Sequence, residues 1–217
     1  ENTHLKIEPY FQYLYNVPVA KDSSFSIINH QDWYLNTALV NEGYGKNYGI
    51  DITLERYLAN GYYYLFTASV FESKYKGGDG VWRDTRLNRN FLLNALGGKE
   101  WKLGKQRQNR LDANIRLSFQ GGDRYSPIDE AASVLEQDAV YDTSKAYEKQ
   151  LDPAFISNFT VSYKLNKTRL SHEFALKILN ATGYKEFSGH FFNYKKQKVE
   201  PYRESVMMPG ISYKIEF

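Results

Sequence analysis

Residues 207–217 alternate strictly. Met207, Pro209, Ile211, Tyr213, Ile215 and Phe217 are apolar, while Met208, Gly210, Ser212, Lys214 and Glu216 are small or polar apart from one methionine. A period of two places the two sets on opposite faces of a strand, one dry and one wet. About ten such residues, tilted, also cross a bilayer. A lipid-facing strand is tolerated only in a closed barrel, so the question is whether the rest of the chain supplies partners of the same kind.

It supplies seven. Leu5, Ile7, Pro9, Phe11, Tyr13, Tyr15 and Val17 alternate with His4, Lys6, Glu8, Tyr10, Gln12, Leu14 and Asn16; residues 18–46 then lose the pattern and read as a loop. The pattern resumes with Tyr48, Ile50, Ile52, Leu54 and Leu58, turns at Asn60-Gly61, and returns with Tyr62, Tyr64, Phe66, Ala68 and Val70 on the dry face. Parity predicts a three-residue loop, Ala59-Asn60-Gly61, because that pairs Leu58 with Tyr62 and keeps the dry faces together. After a glycine-rich loop (75–86) come Phe91, Leu93, Ala95, Trp101 and Leu103, with Gly97-Gly98 predicting a bulge. A polar turn (104–108) leads to the clearest alternation, Leu111, Ala113, Ile115, Leu117 and Phe119. Residues 121–153 are acidic, with a helical turn or two predicted at 131–137. Phe155, Phe159, Val161, Tyr163 and Leu165 then turn at 166–169 into Leu170, Phe174, Leu176 and Ile178, and a basic, aromatic loop (181–205) precedes the last strand.

The eight strands are joined in the order long, short, long, short, long, short, long. Transmembrane barrels have this asymmetry, with short periplasmic turns and long outer loops, whereas sandwiches have no reason to alternate so regularly. The expectation is an all-β, antiparallel transmembrane β-barrel, or a segment of one, formed by residues 1–217 as a single domain with long extracellular loops. Both ends of the chain fall on the periplasmic side, and the last strand is expected to pair with residues 170–180.

Composition narrows this modestly. Aromatic residues make up 16% of the chain, with 19 Tyr against 3 Trp, which suits a membrane belt or a wet binding face. Mean hydropathy is low at −0.60, and no apolar run is long enough for a transmembrane helix, but a barrel with a polar lumen tolerates this. A net charge of +3 with mixed signs gives no case for nucleic acid, and the absence of cysteine removes disulfides and thiolate metal sites. The chain opens Glu1-Asn2-Thr3-His4 without a basic-then-apolar leader, as a mature protein or the interior of a longer one does.

The run Asn41-Glu42-Gly43-Tyr44-Gly45-Lys46-Asn47-Tyr48-Gly49-Ile50-Asp51-Ile52-Thr53-Leu54-Glu55-Arg56 resembles a strand entry of TonB-dependent outer-membrane receptors of Bacteroidetes type. So do residues 62–75, Asn94-Ala95-Leu96-Gly97-Gly98-Lys99-Glu100 and residues 176–182. The resemblance spans essentially the whole chain and implies the last eight strands of a barrel of about 22 strands, normally closed by a plug. It implies a role in nutrient uptake at the cell outer membrane, with outer-membrane lipid, a plug domain, TonB, the barrel-assembly machinery and a surface lipoprotein as partners. No enzyme activity, cofactor or metal follows from it. The plug and TonB-contacting segment have no counterpart here, so this polypeptide alone is not an energised transporter. Tyr213, Ile215 and Phe217 match the terminal signal that the assembly machinery reads. Two alternatives stand beside it: a self-contained small outer-membrane barrel with an adhesive or structural role, and a soluble β-sandwich carbohydrate-binding module.

For ligand contact the outer loops offer Trp33, Tyr34, Trp82, Arg83, Tyr125, Phe192 and Tyr194, with Tyr141 and Phe191 beside them. A ring face takes apolar contact while neighbours hydrogen-bond, which suits a sugar or peptide. Loop packing and lipopolysaccharide contact explain the same residues. Wet-face charges such as Glu100, Arg110, Asp112, Lys164, Lys214 and Glu216 read as a compensating lattice before a substrate path. Asp123, Asp129, Glu130 and Asp138 lack the spacing of a calcium loop. Ser171 and His172 fall on opposite strand faces and cannot cooperate as a hydrolase pair. His30 and His190 have no second ligand at metal spacing.

Overall fold

The computed structural model describes residues 2–31 and 33–217. Strand accounts for 62% of the chain and helix for 6%, so the protein is all-β. No helix among the described residues is long and apolar enough to cross a membrane. In chain order the elements are β1 (Thr3–Val19), β2 (Val40–Ala59), β3 (Tyr62–Lys76), β4 (Trp82–Asp84), β5 (Phe91–Leu103), β6 (Asn109–Gln120), β7 (Arg124–Tyr125), α1 (Glu130–Glu136), β8 (Lys149–Gln150), β9 (Ala154–Asn166), β10 (Ser171–Leu179), β11 (Glu186–Asn193), β12 (Lys198–Glu204) and β13 (Met208–Glu216).

One antiparallel sheet runs β1-β2-β3-β5-β6-β9-β10-β13, with β4 added to β3. Two small ladders, β7-β8 and β11-β12, lie outside it. β13 pairs with β10 as its period predicts. Its other edge is unpaired in the described structure, and β1 likewise has only β2 as a neighbour.

Because directly paired residues share a face, apolar residues form continuous rows across strands. Ile7, Ile52, Ala68, Leu93, Phe119 and Phe155 make one row. Ala113, Val161, Leu176 and Ile211 make another. No second layer among the described residues covers this face: Ile7 is 58% exposed and Ile211 88%. The opposite face is polar and cross-linked. Gln12 accepts from Asn47 at 2.8 Å, Asn47 accepts from Ser73 at 2.6 Å, and Ser73 accepts from Thr85 at 2.8 Å. Ser69 donates to Asp51 at 2.5 Å and Ser118 to Asn94 at 2.7 Å. Cross-strand pairs of this kind contribute about 0.2–1 kcal/mol each.

Three local expectations need correction. The Asn60-Gly61 turn has two residues, not three: both have positive φ (55° and 79°), and Ala59 pairs directly with Tyr62. That is the hairpin turn Asn-Gly favours, because its twist matches the strands. The extra residue sits in β2 as a register shift between Arg56 and Ala59, so Leu54 still faces Phe66 and Ile52 faces Ala68. Gly97-Gly98 makes no bulge; both residues pair in register on either side. Gly98 is small because a Cβ there would lie 2.5 Å from the Tyr63 phenol.

The third correction concerns length. β2 begins at Val40 rather than near Tyr48, and the loop of residues 181–205 contains the β11-β12 hairpin. Gly43 and Gly45 interrupt the early part of β2. A Cβ on Gly43 would collide with Val19, and one on Gly45 would meet Ile28 and Leu14 at 3.0 Å. In the hairpin, a register shift between Phe187 and Gly189 breaks the alternation that would announce it.

The packed interior lies at the long-connection end of the sheet. Tyr75 and Val19 are fully buried there, with Asn88, Ser26 and Ser133. Asn88 joins layers: its side chain accepts from the Ser73 N–H at 3.1 Å and donates to Asp84 at 2.8 Å and Glu72 at 3.2 Å.

Candidate functional site

The long connections fold over one another and enclose two adjoining clefts. The larger, about 600 Å³, is lined by Arg86, Asp123, Tyr125, Tyr141, Tyr147 and Phe187, among others. The second, about 400 Å³, shares Arg86, Ser126 and Tyr147 with it and extends along residues 23–31.

Local chemistry positions these groups. Asp129 caps α1, accepting from the Ala132 N–H at 3.0 Å, and Gln137 ends the helix in the left-handed region. The segment that follows brings Tyr141 to His190 of β11, with the hydroxyl 3.1 Å from Nδ1. His190 is ringed by Phe187 at 4.9 Å, Tyr125 at 5.3 Å and Tyr141 at 5.7 Å between ring centroids. Burial therefore lowers the His190 pKa and raises that of Tyr141. Tyr147 packs edge-on against Tyr75 at 6.1 Å, and burial raises its pKa as well.

The polar wall is held by ion pairs. Arg89 pairs with Asp123, and Arg124 meets Asp84 at 3.1 Å while donating to the Asn88 carbonyl and the Asn90 side chain. The Arg86 backbone N–H donates to Asn29 Oδ1 at 2.9 Å, and its guanidinium donates to Gln31. Among the described residues, Asn29 Nδ2 and His30 Nε2 are buried without a hydrogen-bond partner beside the second cleft. Rings next to fixed donors and acceptors suit a polar organic molecule with apolar faces.

Of the residues singled out for ligand contact by sequence, Tyr125 and Tyr141 line the larger cleft. Arg83 ties loops together: it grips Asp79 at 2.6 and 2.9 Å and donates to the Ser144 carbonyl at 3.1 Å. That grip, first of all the Arg83 hydrogen bond, lowers the Asp79 pKa. Trp82 lies under the Lys46 ammonium at 4.7 Å. Phe192 is buried and packs against Tyr194, which is exposed at the hairpin tip. Trp33 and Tyr34 are exposed and line neither cleft. Arg86, Tyr147 and Phe187 carried no signal in the sequence, since a long loop has no period to say which of its residues converge.

Asp123 and Asp129 of the acidic loop are engaged in the fold by Arg89 and the α1 cap. Ser171 donates to Glu216 on the polar face, while His172 Nδ1 lies 2.7 Å from the Tyr213 hydroxyl on the apolar face. Tyr213 also packs on Phe174 at 4.9 Å, and Phe217 extends beyond β13 fully exposed. On the polar face, Lys164 and Lys214 each reach Glu216 at 2.5 Å, and Arg110 reaches Asp112 at 3.0 Å and Glu100 at 3.4 Å. This is a lattice of compensating charge.

No protein-family model, no curated protein and no solved structure matches this chain.

Proposed function

We propose that the chain forms part of an outer-membrane β-barrel of the TonB-dependent receptor kind, whose outer loops capture a nutrient in the clefts around Arg86, Tyr125 and Tyr147. One observation carries the reading: an uncovered apolar face, continuous across eight strands, is bordered at both ends by rings paired with cations. At the long-loop end Lys46 stands over Trp82 and Lys76 over Tyr44, at 4.7 and 5.8 Å. At the short-turn end Arg56 stands over Tyr62 and Lys99 over Trp101, at 4.4 and 5.4 Å. Lys46 and Arg56 are both on β2, separated by about 34 Å of strand at ~3.4 Å per residue. Tilted by about 40°, that spans ~25 Å, the height of the apolar band of such barrels. Aromatic and basic groups collect at the two interfaces of a bilayer.

The unpaired outer edges of β1 and β13 favour a share of a larger barrel over a self-contained one, since an open edge in lipid leaves backbone groups without partners. The sandwich reading needs a second sheet on the apolar face, and none lies there among the described residues. The test is extraction of the protein from cell envelopes. It should sediment with outer membranes, resist high-salt and alkaline washing, and need detergent to stay dispersed. A folded, detergent-free monomer would overturn the reading, and native mass spectrometry of the extracted species would separate a partial barrel from a complete one.

A further inference from the structure

We infer that Lys46 and Lys76 form a binding site for the phosphate of a lipid headgroup at the long-loop border of the apolar face; this rests on the membrane reading above. The two residues belong to adjacent strands. Lys46 lies opposite Tyr13 on β1 and Lys74 on β3, and Lys76 lies opposite Tyr44 on β2 and Trp82 on β4. Their register is that of Ile50 and Val70, so their side chains leave from the same face as those apolar residues, past Tyr48 on β2 and past Glu72 and Lys74 on β3.

The acids nearby are already engaged. Glu72 accepts from Asn88 at 3.2 Å and from Asn90 at 2.7 Å, while Asp84 accepts from Asn88 at 2.8 Å and pairs with Arg124 at 3.1 Å. What remains of their charge lies 3.8 Å from Lys74. Among the described residues Lys46 and Lys76 have no carboxylate within 4.0 Å, and each rests on a ring instead.

Two lysines whose backbone positions are one diagonal step apart, roughly 7–8 Å by sheet geometry, suit an anion with oxygens on several sides. Tyr13, 50% exposed, adds a ring and a hydroxyl beside them. Free phosphate is a poor fit, because the site has flexible lysines and no concave set of backbone N–H groups. A lipid gains what free phosphate lacks: its chains lie along Ile50 and Val70 while its phosphate meets the lysines. The rings hold the ammonium groups at headgroup height.

The experiment uses the protein in detergent with three probes: diphosphoryl lipid A, the same lipid stripped of its phosphates, and inorganic phosphate. Bound lipid is counted by native mass spectrometry, and affinity is read from the thermal midpoint. The phosphorylated lipid should bind about 30-fold tighter than the stripped one, from ~1 kcal/mol per lysine near an anionic surface. The preference should vanish in K46Q/K76Q, persist in K46R/K76R, and persist in K102Q/K177Q, which alters the polar face. Equal binding of both lipids, or an unaffected K46Q/K76Q, overturns the site; displacement of lipid by millimolar inorganic phosphate overturns the lipid assignment. A protein that needs detergent but shows no preference removes this inference alone, whereas a folded detergent-free monomer removes the membrane reading with it.

Discussion

The two ends of this molecule are stabilised by different means. At the long-loop end, Tyr75, Val19 and Asn88 are fully buried, loops press backbone against backbone, and hydrogen bonds join segments distant in sequence. Gly121 is one such contact: a Cβ there would run into the Arg89 carbonyl. Along the body of the sheet, both faces are open and no side chain of the rows through Ile52 and Val161 is buried. A water-soluble domain keeps its most apolar residues inside. Here they lie on the open face, while the dry interior belongs to the loops. The loop end carries its own core, and the sheet takes its solvent from outside the chain.

The largest effect that sharpens this contrast is expected at Tyr75. Truncation of a buried aromatic residue costs about 3–5 kcal/mol, so Tyr75→Ala should lower the urea midpoint in detergent and in vesicles alike. Tyr75→Phe separates packing from polarity. Among the described residues the hydroxyl is buried without a partner, so its removal should leave stability unchanged or raise it by about 1 kcal/mol.

Next in size is Ala68→Arg, in the middle of the apolar face between Ile52 and Leu93. In vesicles an arginine at the bilayer midplane costs about 2–4 kcal/mol. On a water-facing sheet the same change stays within about 0.5 kcal/mol. Equilibrium unfolding of the variant in vesicles therefore breaks or upholds the contrast directly.

The smallest effect is expected from pH at the loop end. Burial lowers the His190 pKa below its ordinary 6.5. As pH falls below that value the unfolded chain takes up the proton before the folded one, so stability contributed at neutral pH is progressively lost. Protection factors in the β11-β12 hairpin, corrected for the intrinsic exchange rate at each pH, should fall between pH 7 and 5. His190→Phe should flatten that dependence, and sheet-body protection factors that are the same at both pH values would confirm that the effect is local.

Much of the sheet was legible because a strand's period records its environment. The alternation in residues 109–120 marks β6 nearly to the residue, and the long-short order of connections recurs in the structure. Glycine hid part of the rest: Gly43 and Gly45 removed side chains from the pattern where β2 passes Val19 and Ile28. The turn at Asn60-Gly61 misled for another reason. Parity requires an extra residue but does not say whether the turn or the strand absorbs it, and the preference of Asn-Gly for positive φ put it in the strand.

The clefts lie at the other extreme. Arg86, Tyr147 and Phe187 come from three different connections, and only the docking of those connections makes them neighbours. The sequence by itself determined the all-β class, the two faces and which strands run side by side, since each follows from a period of two and from short turns. Tertiary structure alone decided where the dry interior lies, which loop aromatics converge and which lysines are left without a carboxylate. Those depend on contacts between segments dozens of residues apart, and no local pattern encodes them.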